Sequence, residues 1–381
     1  MAEKSPGLDN ASKSPSAGET LADQFGLKGI ISEYLIPVET NTIWYTLGGV
    51  LGIALVFEIL TGFILTWRYI PDAGKAFGIT ASMLKEPFWS VVLNFHYWAA
   101  YLIFALVMIH MMRVFITGGY LRGKQGLWLL GVALAGIVFL LSITGETLHW
   151  DERGFAVPWH ISELLDAVGL AGVFQYTHPD LKVISIATEK LIPIYAAHVA
   201  VLPLLLLVVM ALHYYVIRVK KISLPFWLSE SGRKAPFTEH VRAWLIYGGI
   251  ILGVVLVISF ISRDPGPAPQ LLPSSPFFGS KHGPGTLGIT PTYPISWTHG
   301  MNRLVAILFN LQPDIWGTVI GMVLMLGGVL AVPFIDRAKH EPRGWTEAFN
   351  LRQRGWAFFA IGVFWVIMIA GVVTNAVTPI G

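Results

Sequence analysis

The chain has 381 residues, of which 54% are hydrophobic and only 13% charged; a soluble domain carries about 25% charged residues, so the deficit points to a bilayer as solvent. It has no cysteine, which excludes disulfides, zinc–thiolate and iron–sulfur ligation and thioether-linked haem, and leaves His, Met, carboxylate or packing to hold any cofactor. The net charge of +3 gives no ground for nucleic acid as a partner.

Residues 1–20 are polar and rich in Ser, Ala and Gly, with no apolar core; they read as a disordered tail rather than a signal peptide. Residues 21–36 are amphipathic and stop before Pro37, the pattern of an interfacial helix. A bilayer crossing needs about 20 apolar residues. Seven such runs follow, at 42–68, 92–117, 126–148, 190–217, 241–262, 314–335 and 355–377. The connection 149–189 is too long for a turn and is expected to hold short surface helices, and the Pro- and Gly-rich stretch 263–299 an ordered irregular loop. The expected fold is all-α: an integral membrane bundle of seven transmembrane helices, with residues 21–225 supplying four and residues 226–381 the last three.

Lys and Arg concentrate on one side of such a bundle. The tail and the loops after spans two, four and six hold 17 of the 26 basic residues, and the acidic cluster Glu146, Asp151, Glu152, Glu163 and Asp166 falls on the other side. By the positive-inside rule the N-terminus is cytoplasmic.

Span two carries His96 and His110, fourteen residues apart, and span four carries His198 and His213, fifteen apart. Fourteen residues is close to four helical turns, so each pair shares a helix face and is separated by roughly 21 Å along the axis. Both spans run the same way, which sets His96 level with His198 near the outer surface and His110 level with His213 near the cytoplasm. Any one histidine could be a hydrogen-bonded core residue. Ionisable residues inside a membrane are costly and default to function, and imidazole is a common axial ligand of haem iron. Two bis-histidine haem sites stacked across the bilayer follow.

Span one has Gly48 and Gly62, and span three has Gly131 and Gly145, again fourteen apart. Small residues pack helices closely in any membrane bundle; the shared rhythm with the histidines argues for clearance that lets a flat macrocycle approach the backbone at the same two depths.

These residues resemble the cytochrome b family, in its short chloroplast-type form with the haem half (21–225) and the subunit-IV-like half (226–381) fused. The likeness is carried by LGGVLGIALVFEILTG in span one, the two histidines of span two followed by Arg113 and GGY (118–120), and TGETLHWDE after span three. His198 with Pro203, IRVKKISLPF (217–226) and VPFIDR (332–337) continue it. The resemblance implies two non-covalent b haems, His96 and His198 holding the outer, low-potential one and His110 and His213 the inner, high-potential one. It further implies quinol and quinone as substrates, a Rieske iron–sulfur protein and a c-type cytochrome as partners, a homodimer, and a prokaryotic cytoplasmic membrane as location.

The departures bear on mechanism. Where the chloroplast-type protein tethers an extra haem through cysteine, this chain has Thr46, so no covalent haem c is expected. Leu93 stands where the family has arginine. The P-E-W-Y motif, whose glutamate accepts a proton from quinol, has as its nearest counterpart PISW (294–297), with no carboxylate. Quinol oxidation still needs a base within reach; Glu146, His149, Asp151, Glu152 and His299 lie on the right side. Glu146, with Asp151 or Glu152 behind it, is expected to take over part of that role, against the competing reading of solvated loop charges. Glu58, inside span one where the family often has glutamine, is expected to pair with a polar neighbour. Arg113, Lys220 and Lys221 either meet haem propionates or quinone or simply obey the positive-inside rule. Two functions compete: the core of a quinol-oxidising bc-type complex, and a di-haem anchor that links the quinone pool to another partner without bifurcation.

Overall fold

A computed structural model of the chain describes residues 35–151, 154, 158, 161, 164–170, 191–223, 226–227, 233–261, 296–310 and 315–377. Seven helices are long and apolar enough to cross a membrane. In chain order they are α1 (Ile43–Thr66), α3 (Pro87–Ile116), α4 (Gln125–Leu148), α5 (Leu191–Lys220), α6 (Phe237–Ile261), α8 (Trp316–Ile335) and α10 (Leu351–Val377). Shorter helices among the described residues include α2 (Ala76–Met83), α7 (Ser296–Phe309) and α9 (Trp345–Ala348). The seven expected spans are therefore all present. α3 starts five residues earlier than its hydropathy suggests because Pro87 occupies its first turn, where a missing N–H costs nothing and φ is already helical.

Away from their ends the spanning helices expose mostly apolar side chains, the kind of surface a bilayer would meet. On α5 these include Leu204, Leu205, Leu207, Val208 and Leu212. A helix satisfies its backbone polar groups internally, the requirement for crossing hydrocarbon; Pro203 in α5 and Pro333 in α8 are local departures.

The chain alternates direction, so the bundle has two ends. At the proximal end, β1 (Leu35–Pro37) pairs antiparallel with β2 (Lys234–Pro236), Leu35 opposite Pro236. Leu35 and Ile36, read from sequence as the end of an interfacial helix, are thus strand; the rest of that segment, the 1–20 tail, most of 149–189 and all of 263–295 lie outside the described residues. At the distal end Arg68 pairs with Glu86 across the α1–α3 connection, and the Tyr69 hydroxyl donates to the Leu148 carbonyl at 2.7 Å. Burial pushes the Tyr69 phenol well above its ordinary pKa, with Tyr195 adding to the rise.

α1 packs against α3 and α6, α4 against α5, and α7, α8 and α10 against one another. The last group is drawn tight by missing side chains: a Cβ on Gly300 would stand 1.6 Å from the Gly371 carbonyl oxygen, and one on Gly317 2.4 Å from that of Met301. α6, which the sequence reading groups with the last two spans, instead lies on α1, where Trp244 fills the space left by Gly49.

At the proximal end a buried polar network joins the two halves. Arg354, wholly inaccessible to solvent, donates to Asp336 at 2.9 Å, to the carbonyls of Phe115, Ile116 and Ala348, and to the Tyr120 hydroxyl; Tyr120 in turn donates to Asp336. Beside it Lys124 reaches Ser223 at 3.0 Å and Glu341 at 2.8 Å. The Trp128 indole, donating to the Val329 carbonyl at 2.9 Å, links α4 to α8.

Candidate cofactor site

α3 and α5 run in parallel from the distal to the proximal end and carry the histidines. The His96 and His198 rings face each other with centroids 6.2 Å apart and planes 81° apart. An imidazole nitrogen sits about 2 Å from a metal it binds, and its ring centre roughly 1 Å further out, so two imidazoles across one metal have centres about 6 Å apart. The 6.2 Å between the His96 and His198 rings matches that spacing. Two facing imidazoles supply too few ligands for a bare zinc ion, which takes about four; haem iron brings its equatorial donors and asks only for axial ones. His110 and His213 together line a second cavity at the proximal end.

The two helices have unequal spacing, yet both present their histidines to one side. The reason lies in α5, where Ala197–Val201 is a π turn. A π turn absorbs one extra residue, so fifteen residues in α5 deliver the rotation that fourteen deliver in α3. Pro203 explains its position: a proline cannot donate to a carbonyl one turn back and clashes with it, which opens the helix just before the ring.

Each histidine is backed by one glycine on a neighbouring helix. A Cβ on Gly48 would lie 3.2 Å from Cε1 of His110, on Gly62 3.0 Å from that of His96, on Gly131 3.5 Å from that of His213, and on Gly145 2.9 Å from that of His198. Each of the four glycines named from sequence thus stands beside one imidazole, so that a side chain there would press on the ring.

At the distal couple two threonines stand beside the rings, a feature not anticipated from sequence. Thr61 Oγ1 is 3.1 Å from Nδ1 of His96, and Thr144 Oγ1 is 3.0 Å from Nδ1 of His198. Each hydroxyl also contacts carbonyls one turn back in its own helix, at 2.9 Å for Phe57 and for Leu140. Its one hydrogen goes there, so its lone pairs accept from imidazole Nδ1–H. That tautomer leaves the lone pair on Nε2 for a metal. Glu58 takes the place expected of it: its carboxylate is 3.3 Å from His96 Nδ1.

The distal couple opens on a cavity of about 280 Å³, and the proximal couple on one of about 560 Å³. The larger is lined by Met108, Met111, Met322, Met325 and Met368. It also receives Arg113 and Tyr45, the guanidinium stacked on the phenol ring at 4.7 Å. Arg113 Nε and the Tyr45 hydroxyl have no hydrogen-bond partner among the described residues. Buried donors left open in this way suit the carboxylates of a macrocycle. Both Lys220 and Lys221 are exposed, and Lys221 also lines the mouth of this cavity.

Of the quinol-site candidates, Glu146 and His149 line the distal cavity; Glu146 belongs to helix α4 rather than to a loop. Asp151 is buried and turned to its own backbone, accepting from Gly154 N–H at 2.7 Å. Glu152 and the His299 side chain lie outside the described residues. Trp297, from the PISW segment, lines the proximal cavity, not the distal one.

A family model described as cytochrome b/b6/petB matches residues 31–221. Cytochrome b6 of Gloeobacter violaceus is 31% identical over 199 residues, which are 51% of this chain and 90% of that protein; cytochrome b6 of Porphyra purpurea is 30% identical over 198 residues, 51% and 90% respectively. A solved structure titled "Hyperthermophilic respiratory Complex III" shares the fold across both halves, with a TM-score of 0.66, 16% identity, and coverage of 94% of this chain and 98% of that one.

Proposed function

Because the chain belongs to the cytochrome b/b6 family, we propose that it is the electron-carrying core of a bc-type quinol-oxidising complex, with one haem b between His96 and His198 and a second between His110 and His213. The observation that supports this most is the distal pair: two imidazoles 6.2 Å apart, each with a glycine behind its ring and a threonine on its Nδ1. Haem held by these histidine pairs, one pair toward each surface, would supply one-electron redox chemistry at the two sides of the membrane. The protein supplies binding, orientation and exclusion of water. The four histidines would hold the groups through ring nitrogens, the glycines leave room beside those rings, and the apolar faces of α1, α3, α4 and α5 would keep water out. Arg113 and Tyr45 stand ready for the carboxylates of the proximal group.

Quinol is oxidised at the distal end, where Glu146 with His149 beside it takes the proton that the family's missing glutamate would accept. The basic proximal end faces the cytoplasm of a prokaryote. A Rieske protein and a c-type cytochrome complete the complex, on the pattern of the respiratory Complex III whose subunit shares this fold, and the assembly is a homodimer.

One observation favours a second reading, a di-haem anchor without bifurcated oxidation: PISW has no carboxylate, and its Trp297 lies on the cavity of the other couple. Purification of the native complex decides between the two. The bc-type reading predicts that a Rieske protein and a c-type cytochrome co-purify and that stigmatellin-like inhibitors block quinol oxidation. A b-only complex insensitive to them supports the anchor.

A further inference from the structure

The four glycines that back the histidines are each preceded by a residue that divides the two couples. The doublets are Thr61–Gly62 and Thr144–Gly145 at the distal couple, and Leu47–Gly48 and Leu130–Gly131 at the proximal one. Both distal imidazoles therefore have a hydroxyl acceptor on Nδ1, at 3.1 and 3.0 Å. His96 has the Glu58 carboxylate at 3.3 Å in addition. At the proximal couple, Nδ1 of His110 has no hydrogen-bond partner among the described residues, and Nδ1 of His213 faces the Leu127 carbonyl outside hydrogen-bond geometry. A leucine in the doublet offers nothing to accept.

From this asymmetry, and resting on the two-haem reading above, we propose that Thr61 and Thr144 are positioning residues that set the distal haem below the proximal one in reduction potential. An acceptor on Nδ1–H fixes the ring tautomer and raises the basicity of the coordinating nitrogen. A more basic axial ligand stabilises ferric over ferrous iron, and axial ligation and hydrogen bonding are among the protein's levers on haem potential. Two hydroxyl contacts at the distal couple, against a single backbone carbonyl beside His213 at the proximal one, make electron flow from the distal to the proximal site downhill. That is the direction needed if the distal end is outermost, because an electron moving toward the cytoplasm works against the membrane potential.

The test is redox potentiometry with low-temperature EPR on the intact haem-loaded complex. It compares wild type with Thr61→Val, Thr144→Val, the double variant and Thr144→Ser, plus the reverse change Leu130→Thr. Haem content is counted first. The inference predicts that the valine variants keep two haems, that the lower-potential wave moves up while the upper stays, and that the double variant shows the larger rise. Thr144→Ser keeps the wild-type potential, and Leu130→Thr lowers the upper wave. Two bound haems with both potentials unmoved in the double variant overturn the inference alone. So does a distal shift that serine fails to prevent. Should the valine variants shed haem, Leu130→Thr decides: an unmoved upper wave overturns it. Fewer than two haems in the wild type overturns the two-haem reading itself.

Discussion

Gly145 lies directly behind the imidazole of His198, so close that a methyl group there would stand 2.9 Å from Cε1, inside van der Waals contact. The ring cannot retreat freely, because Thr144 holds its Nδ1 at 3.0 Å. The four equivalent glycines differ in this clearance, from 2.9 Å at Gly145 to 3.5 Å at Gly131, and their alanine variants are expected to differ accordingly. Gly145→Ala loses most of one haem and Gly62→Ala, at 3.0 Å, a substantial part. Gly131→Ala keeps both. Pyridine haemochrome assay of each purified variant checks the order; equal loss at all four positions contradicts it.

The π turn makes a second prediction. If Ala197–Val201 exists only to absorb the residue by which α5 exceeds α3, removing that residue is tolerated once the proline that opens the helix is gone. Deletion of Val201 together with Pro203→Ala is expected to give a regular helix with a fourteen-residue spacing and to retain both b-haem α-bands. Insertion of one alanine between His198 and His213 rotates the two faces by about 100° relative to each other and abolishes one of the bands.

The Arg354–Asp336–Tyr120 network gives a stability prediction. Both charged side chains are wholly buried, and removing one partner of such a pair leaves an uncompensated charge, at a cost of about 3–5 kcal/mol. Arg354→Met is expected to lower the thermal midpoint in detergent by many degrees. The double change Arg354→Met with Asp336→Leu recovers most of the loss, since well-packed apolar residues replace buried ion pairs at little cost. A single variant as stable as wild type contradicts the assignment.

At the distal cavity the carboxylates should separate by role. Glu146→Gln is expected to slow quinol-driven haem reduction at least tenfold, in line with the loss of a positioned base. Asp151→Asn, altering a group that holds its own turn, leaves the rate close to wild type. The reverse pattern assigns the proton to Asp151.

The sequence displays the spans and the histidines because both obey local periodicity: apolar runs of bilayer length, and imidazoles returning to one helix face every fourteen or fifteen residues. The glycines are legible by the same rhythm, although what they face is the imidazole, which spacing alone does not reveal. The remaining features depend on contacts across the chain. Nothing near Arg354 in sequence announces Phe115 or Tyr120, more than two hundred residues away, and VPFIDR is noticed as a motif without its buried partner. The doublets Thr61–Gly62 and Thr144–Gly145 are visible in the sequence, but their hydroxyls acquire meaning only beside His96 and His198. α7 is missed because its fourteen residues are too short to cross a membrane and sit after a stretch rich in proline and glycine, which draws attention to turns.

The most direct test of the account is a count of haem b per polypeptide in the wild type and in His110→Ala. The account predicts two in the wild type and one in the variant, the survivor being the haem shared by His96 and His198. A colourless wild-type polypeptide, or a variant that still holds both haems, contradicts it.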